Sequence, residues 1–237
     1  MFEVRNLEFS YPGKEVLKDV SLVVSPGEIV AVVGANGAGK TALMRCLATV
    51  AMPSRGRVLH DGVDACIHSR RYRRQLGYLP ETPALYEDMS VKRFLIYRAE
   101  LKGEPSRRIR RRITEAADVC RLSDAILRRK INLLSAGERK RVALADAVLL
   151  RPRLLLLDDY LGGLDHELRE SAGSILSEVA SFSSVIVTGH EIDDFARWCT
   201  RFLILRDGKI AASVDTAGAQ PEQIVARVAA LLKGVKA

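Results

Sequence analysis

IVAVVGANGAGKT, from Ile29 to Thr41, joins an unbroken apolar run to a glycine-rich turn that ends in Lys-Thr. Ile29–Val33 carries no polar residue, as a strand buried on both faces of a sheet requires. The turn fits the spacing GxxxxGK[ST] in full, through Gly34, Ala35, Asn36, Gly37, Ala38, Gly39, Lys40 and Thr41. Ala42 then opens a stretch of helical spacing to Val50. Glycines at 34, 37 and 39 let the backbone wrap phosphate oxygens with its N–H groups, backed by a helix N-terminus. Lys40 is placed to reach β- and γ-phosphates, and the Thr41 hydroxyl to ligate Mg²⁺. With a strand before it and a helix after it, the stretch predicts nucleoside triphosphate binding.

Further along, LLLLDD (Leu154 to Asp159) and SVIVT (Ser184 to Thr188) are two more buried runs that precede helical stretches. A strand ending at Asp158 sets a carboxylate beside the phosphate loop, where it holds Mg²⁺ through water. RFLIL (Arg201 to Leu205) adds another strand before the turn Asp207-Gly208. Phe2 and Val4, then Val20, Leu22 and Val24, alternate like half-buried strands. Strands alternating with helices predict an α/β fold with a mostly parallel sheet covered by helices. Between Glu81 and Leu134 the buried runs vanish and helices replace them. One is SVKRFLIYRAEL, with Ser90 as N-cap and Lys102-Gly103 as its stop; an arginine-rich helix starts from Pro105 and a shorter one from Ser123. A last amphipathic helix from Pro221 is expected to pack Ile224, Val225, Val228, Leu231 and Leu232 on the core.

At 237 residues and 48% hydrophobic, the chain can bury a core without staples. Its four cysteines (Cys46, Cys66, Cys120, Cys199) are scattered and read as small buried hydrophobes of a reducing compartment. Met1 leads directly into FEVRNLEFSY, so no signal peptide is expected, and no apolar run is long enough to span a bilayer. The net charge of +8 comes mainly from arginine clusters at 70–74, 107–112 and 128–130. They read as solvated helix faces, or as attraction to an anionic membrane leaflet. Only Tyr72 interleaves an aromatic ring, so no nucleic-acid partner is expected.

LSAGERKRVALADAVLLRP, from Leu134, carries the family resemblance. It is similar to the segment near LSGGQ, with its following basic helix and apolar strand, of ABC transporter ATP-binding subunits. The resemblance covers nearly the whole chain and implies a P-loop NTPase core with an N-terminal antiparallel β region and an inserted α-helical subdomain. It divides one ABC ATP-binding domain into a core at 1–84 and 134–215, a helical insertion at 85–133 and a C-terminal helix at 216–237. It implies that Ser135 and Gly137 contact the γ-phosphate of ATP held by a second ATP-binding subunit, in a homo- or heterodimer. Tyr11 would stack on adenine, Asp165 in GGLD would cross the dimer interface, and His190 in TGH would organise the attacking water. Asp159 stands where the family places a glutamate as general base. It offers the same carboxylate on a shorter arm, and slow hydrolysis is expected. Glu81 stands where the family places a glutamine that senses Mg²⁺ and the membrane partner; an acidic residue there can still ligate the ion. Tyr160 and Leu161 replace the Pro-Thr that usually follows.

GYLPE, from Gly77 to Glu81, with a short helical insertion after it, resembles an exporter branch with separately encoded membrane subunits. The implied function is ATP hydrolysis that drives a transmembrane permease, from a peripheral position on the cytoplasmic side. Two alternatives stay open: a poorly hydrolysing regulatory ABC protein, favoured by Asp159, and a soluble ABC ATPase. No coiled-coil arms, zinc site or second cassette supports the latter, and no NKxD-type guanine reader supports a GTPase.

Overall fold

The computed structural model describes residues 1–234. The chain begins with an antiparallel hairpin, β1 (Phe2–Tyr11) and β2 (Lys14–Val24), and then enters the buried strand β3 (Ile29–Val33). Helix α1 (Lys40–Leu47) follows the glycine-rich turn. Next come β4 (Arg55–His60), β5 (Val63–Asp64), the short α2 (Ser69–Arg73) and β6 (Leu76–Leu79). Helices α3 (Val91–Leu101), α4 (Ser106–Val119) and α5 (Asp124–Arg128) lead through a 3₁₀ turn at Ile131–Leu133 to α6 (Ala136–Val148). The remainder alternates: β7 (Leu154–Leu157), α7 (His166–Ala180), β8 (Ser184–Gly189), α8 (Ile192–Trp198), β9 (Arg201–Arg206), β10 (Lys209–Asp215) and α9 (Pro221–Leu232).

Two sheets result. One has the order β2-β1-β4-β5 and is antiparallel; the other has the order β10-β9-β3-β8-β7-β6 and is parallel except for the β9–β10 hairpin. This is the α/β P-loop architecture with an antiparallel N-terminal region and an inserted helical subdomain. The apolar runs are explained by where each side chain goes. Ile29, Ala31 and Val33 of β3 belong to the core shared with the helices α3, α4, α6, α7 and α8, while Val30 and Val32 belong to the core shared with α1 and the antiparallel sheet. Leu155 and Leu157 against Leu154 and Leu156 divide β7 in the same way. Both faces are dry, so both residue sets must be apolar. Fully burying each such side chain contributes roughly 1.5–3 kcal/mol.

Ser90 caps α3, its Oγ accepting from the Arg93 N–H at 3.3 Å, and Gly103 at φ 76° ends the helix after Lys102. Ser123 caps α5 in the same way. Helix α9 packs back on the core through Ile224 and Val228; residues 235–237 of the expected C-terminal helix segment lie outside the described residues. Cys46, Cys120 and Cys199 are buried, Cys66 is half-buried, and all four are free thiols. The arginine clusters divide. Arg70, Arg71 and Arg74 are exposed, as are Arg107, Arg108, Arg110 and Arg111. Arg73 is exposed as well, yet it donates to Thr49 Oγ1 and its carbonyl at 2.8 Å, and Tyr72 is buried with its hydroxyl donating to the Leu47 carbonyl at 2.7 Å. Helix α2 thus ties β6 to the end of α1, a packing role that a run of arginines conceals. Arg112 sits between Glu104 and Glu115, each at 3.3 Å.

Candidate functional site

Strands β3, β7 and β8 lie side by side, and the chain leaves each at the same edge of the sheet. That edge carries an open cleft of about 620 Å³, lined among others by Tyr11, Asn36, Lys40, Thr41, Asp158 and His190. Gly39 sits at φ 108° immediately before α1, a backbone state costly to any residue with a Cβ. A Cβ on Gly34 would lie 2.2 Å from the Leu205 carbonyl oxygen, so the loop can hug β9 only with glycine there. The turn is closed locally by the Ala38 N–H donating to the Ala35 carbonyl at 3.1 Å, with Ala38 and Ala42 buried beneath it. Gly37 projects into open space at φ 78°, leaving backbone accessible to a ligand.

The Lys40 ammonium donates to the carbonyls of Gly34 at 2.7 Å and Ala35 at 3.2 Å, and lies 3.3 Å from His190 Nε2. Burial lowers its pKa, opposed by the charges of Asp159, Asp158 and Glu191. His190 is exposed at the end of β8, its backbone N–H held by the Glu191 carboxylate at 2.9 Å. Asp158 is buried; its Oδ1 accepts from the Thr188 hydroxyl at 2.7 Å and the Thr41 hydroxyl at 3.4 Å. Its Oδ2 is buried with no partner among the described residues. Burial raises the Asp158 pKa, the two hydroxyls oppose that rise, and the charges of Glu81 and Asp159 add to it. A buried carboxylate oxygen left without a partner, on the same side chain that meets the Thr41 hydroxyl, fits a divalent cation, which would supply the missing countercharge. Thr41 and Asp158, with Glu81 at the rim, are the groups that would hold Mg²⁺. No cluster of three metal-ligating His, Cys, Asp or Glu side chains occurs among the described residues. That agrees with an ion bound by one or two carboxylates plus phosphate and water.

Asp159 follows at φ 51°, its N–H donating to Thr188 Oγ1 at 3.0 Å. Thr188 therefore bridges both residues: its proton goes to the Asp158 carboxylate and its lone pair accepts the Asp159 backbone N–H. The sequence reading did not assign it that role, although a hydroxyl residue closing an otherwise apolar strand was the available signal. Tyr11, at 42% exposure, stands on the cleft wall with its ring edge-on to Phe9 at 4.9 Å, and its hydroxyl accepts from Arg45 at 3.3 Å.

Three expected residues outside the phosphate loop, Ser135, Gly137 and Asp165, do not line this cleft. Ser135 caps α6 in a capping box: its Oγ accepts from the Glu138 N–H at 3.2 Å, and the Glu138 carboxylate accepts from the Ser135 N–H at 2.8 Å. That N–H, opposed by desolvation and helped by Arg129, lowers the Glu138 pKa. Gly137 is buried, and a Cβ there would meet Leu168 Cδ1 at 2.4 Å, so the Leu168 side chain of α7 would have to shift to admit a larger residue. Asp165 caps α7, accepting from the Leu168 N–H at 2.9 Å.

Comparison with known proteins bears on the same elements. A family model described as ABC transporter matches residues 17–161. The putrescine transport ATP-binding protein PotG of Escherichia coli is 35% identical over 88% of this chain, which spans 55% of that protein's length. The uncharacterised ABC transporter ATP-binding protein YxlF of Bacillus subtilis is 32% identical over 89% of this chain and 70% of its own. A solved structure of an ATP binding subunit of an ABC transporter superimposes with a TM-score of 0.83 at 28% identity, covering 97% of this chain and 99% of that one. With a matched sequence, a shared fold and a phosphate loop facing two carboxylates and a histidine, the chain belongs to the ABC transporter family, as an ATP-binding domain.

Proposed function

We propose that the chain binds Mg-ATP in the cleft, hydrolyses it between two ATP-binding subunits, and so drives a separate membrane permease from the cytoplasmic face. One observation carries the reading: Lys40, Thr41, Asp158, Asp159 and His190 share the cleft, while Ser135 and Gly137 lie outside it. The loop carries the N-terminus of α1 but the cleft lacks that of α6, and a second subunit's Ser135 and Gly137 would supply the latter. The Lys40 ammonium leaves the two loop carbonyls for β- and γ-phosphate oxygens, and Tyr11 lies along the adenine. Asp159 accepts the proton of the attacking water, which His190 orients. Bound Mg²⁺ supplies neutralisation of charge developing on the phosphates. No helix among the described residues is long and apolar enough to cross a membrane; the reading assigns the permease to a separate subunit. Glu81, at the cleft rim, is the residue we assign to sensing that partner.

The chain spans just over half of the putrescine relative's length, and the relatives' substrates are not carried over. A nucleotide-gated switch with little turnover is the second reading, favoured by the short arm of Asp159. Thermal unfolding with Mg-ATP and Mg-GTP, alongside phosphate release and co-purification with a polytopic membrane protein, tests the proposal. Mg-ATP is expected to raise Tm by more than Mg-GTP does, and Lys40→Ala to abolish both the shift and the phosphate release. Equal stabilisation of wild type and Lys40→Ala by Mg-ATP would remove the phosphate-loop assignment.

A further inference from the structure

Lys140, on α6, has no role in the reading so far. Its position is unusual for a solvent-seeking side chain: it is half-buried, and its ammonium donates to the Tyr160 carbonyl at 3.0 Å and to the Gly162 carbonyl. These are the two carbonyls on either side of Leu161 in the segment that follows Asp159. Tyr160 and Leu161 turn their side chains into the core, where they are 3% and 0% exposed. The segment is therefore anchored from below by packing and from above by one cation. Asp159 is tied to the same segment. Gly162 has just enough room for it: a Cβ there would stand 2.4 Å from Asp159 Oδ2, so the carboxylate lies against the bare Cα of Gly162. Upstream, the Asp159 N–H is held by Thr188 at 3.0 Å. Thr188 thus fixes Asp159 from the strand side, and the segment carrying Gly162 fixes it from the other.

We propose that Lys140 is a positioning residue, which locks Tyr160–Gly162 and thereby sets where the Asp159 carboxylate points; this rests on reading Asp159 as the general base. Lys140 acts through the two carbonyls. The charge has a second use. Burial lowers the Lys140 pKa, and the nearby charges of Asp159 and Glu191 oppose that, as they would if the ammonium also balances the carboxylate it positions. A neutral side chain of similar length would fill the space but leave two inward-facing carbonyls unpartnered and the segment free to shift. Because reacting groups must meet within about 1 Å of the productive geometry, a small shift at Gly162 is enough to be felt in turnover.

The test pairs Lys140→Met and Lys140→Arg with wild type and Asp159→Asn, each first shown to fold by thermal unfolding. Two things are measured: deuterium uptake of the peptide spanning residues 158–165 without nucleotide, and steady-state phosphate release with Mg-ATP. Lys140→Met is expected to raise uptake in that peptide, and to lower kcat roughly tenfold to a hundredfold while KM for ATP stays within about twofold. Lys140→Arg, which keeps charge and donors, is expected to restore most of both readouts. Should Lys140→Met fail to fold, Lys140→Gln replaces it in the same comparison. Wild-type uptake in the Met or Gln variant overturns the proposal, whatever its activity. So does raised uptake with wild-type kcat, when Asp159→Asn is inert. If Asp159→Asn hydrolyses ATP at the wild-type rate, the general-base reading falls, and the positioning of the segment then stands or falls on uptake alone.

Discussion

Asp159 combines two demands that the usual glutamate does not meet equally well here. It must present a carboxylate to the cleft, and it must hold a left-handed backbone at φ 51°. Aspartate and asparagine tolerate that conformation better than longer side chains, because their short polar groups hydrogen-bond locally. The shorter arm is thus matched to the turn that β7 makes on entering the loop. Two substitutions separate the demands. Asp159→Asn keeps the backbone preference and removes the proposed base, so phosphate release should nearly vanish with Tm unchanged. Asp159→Glu restores reach and should raise kcat by up to about tenfold, ~1.4 kcal/mol of barrier, at about 1 kcal/mol of backbone strain. Phosphate release and thermal unfolding of the two variants check both statements; an active Asp159→Asn would move the base elsewhere, with Glu81 first in line.

Among the elements, α6 joins the most parts. Its first turn carries the Ser135–Glu138 capping box, its middle holds Lys140 against the loop after β7, and its last turn carries Asp146. Asp146 accepts from Arg98 at 2.9 Å and from Lys102 at 2.8 Å, both on or just beyond α3, so one carboxylate fastens the inserted helices to α6. Burial pushes the Asp146 pKa up, but Lys102 and Arg98 outweigh it and hold the carboxyl below its usual 3.8. A depressed folded value means stabilisation that is complete above the unfolded pKa and lost as pH falls through the folded one. Asp146→Ala should cost about 3 kcal/mol near neutral pH, because two partly buried cations lose their partner. The difference from wild type should narrow as pH falls below 3.8. Denaturant unfolding at a series of pH values measures it, and a gap independent of pH would exclude the ion triad as the cause.

At the scale of the molecule, the parallel sheet decides what lies near what. β3, β7 and β8 are adjacent, so the residues that follow each of them converge although they lie far apart in the chain. The start of α6 does not line that cleft, and in the proposed arrangement a second subunit closes it. Asp159→Asn with Mg-ATP is expected to sediment as a dimer, and the nucleotide-free protein as a monomer. A nucleotide-loaded chain that stays monomeric in analytical ultracentrifugation would call instead for a different partner subunit. Raised salt should shift this equilibrium little if backbone N–H groups and the capped α6 terminus carry the contact rather than exposed charge pairs.

What the amino-acid sequence determined by itself was local and periodic. Ile29–Val33, Leu154–Leu157 and Ser184–Thr188 announced buried strands because both faces of each had to be apolar, and GxxxxGKT announced a phosphate loop because the turn tolerates few other residues. Ser90, Ser123 and Pro221 marked helix starts for equally local reasons. Only the tertiary structure decided the rest. Thr188 bridges Asp158 and Asp159, Lys140 reaches the carbonyls of Tyr160 and Gly162, and Gly137 sits under the Leu168 side chain. Tyr72 and Arg73 became packing residues inside what looked like a solvated arginine run. Each of these is a contact between segments separated by many residues, fixed by which strands pair and how closely two helices approach. No spacing in the chain encodes such a distance, because it is set by the whole sheet and not by any one stretch.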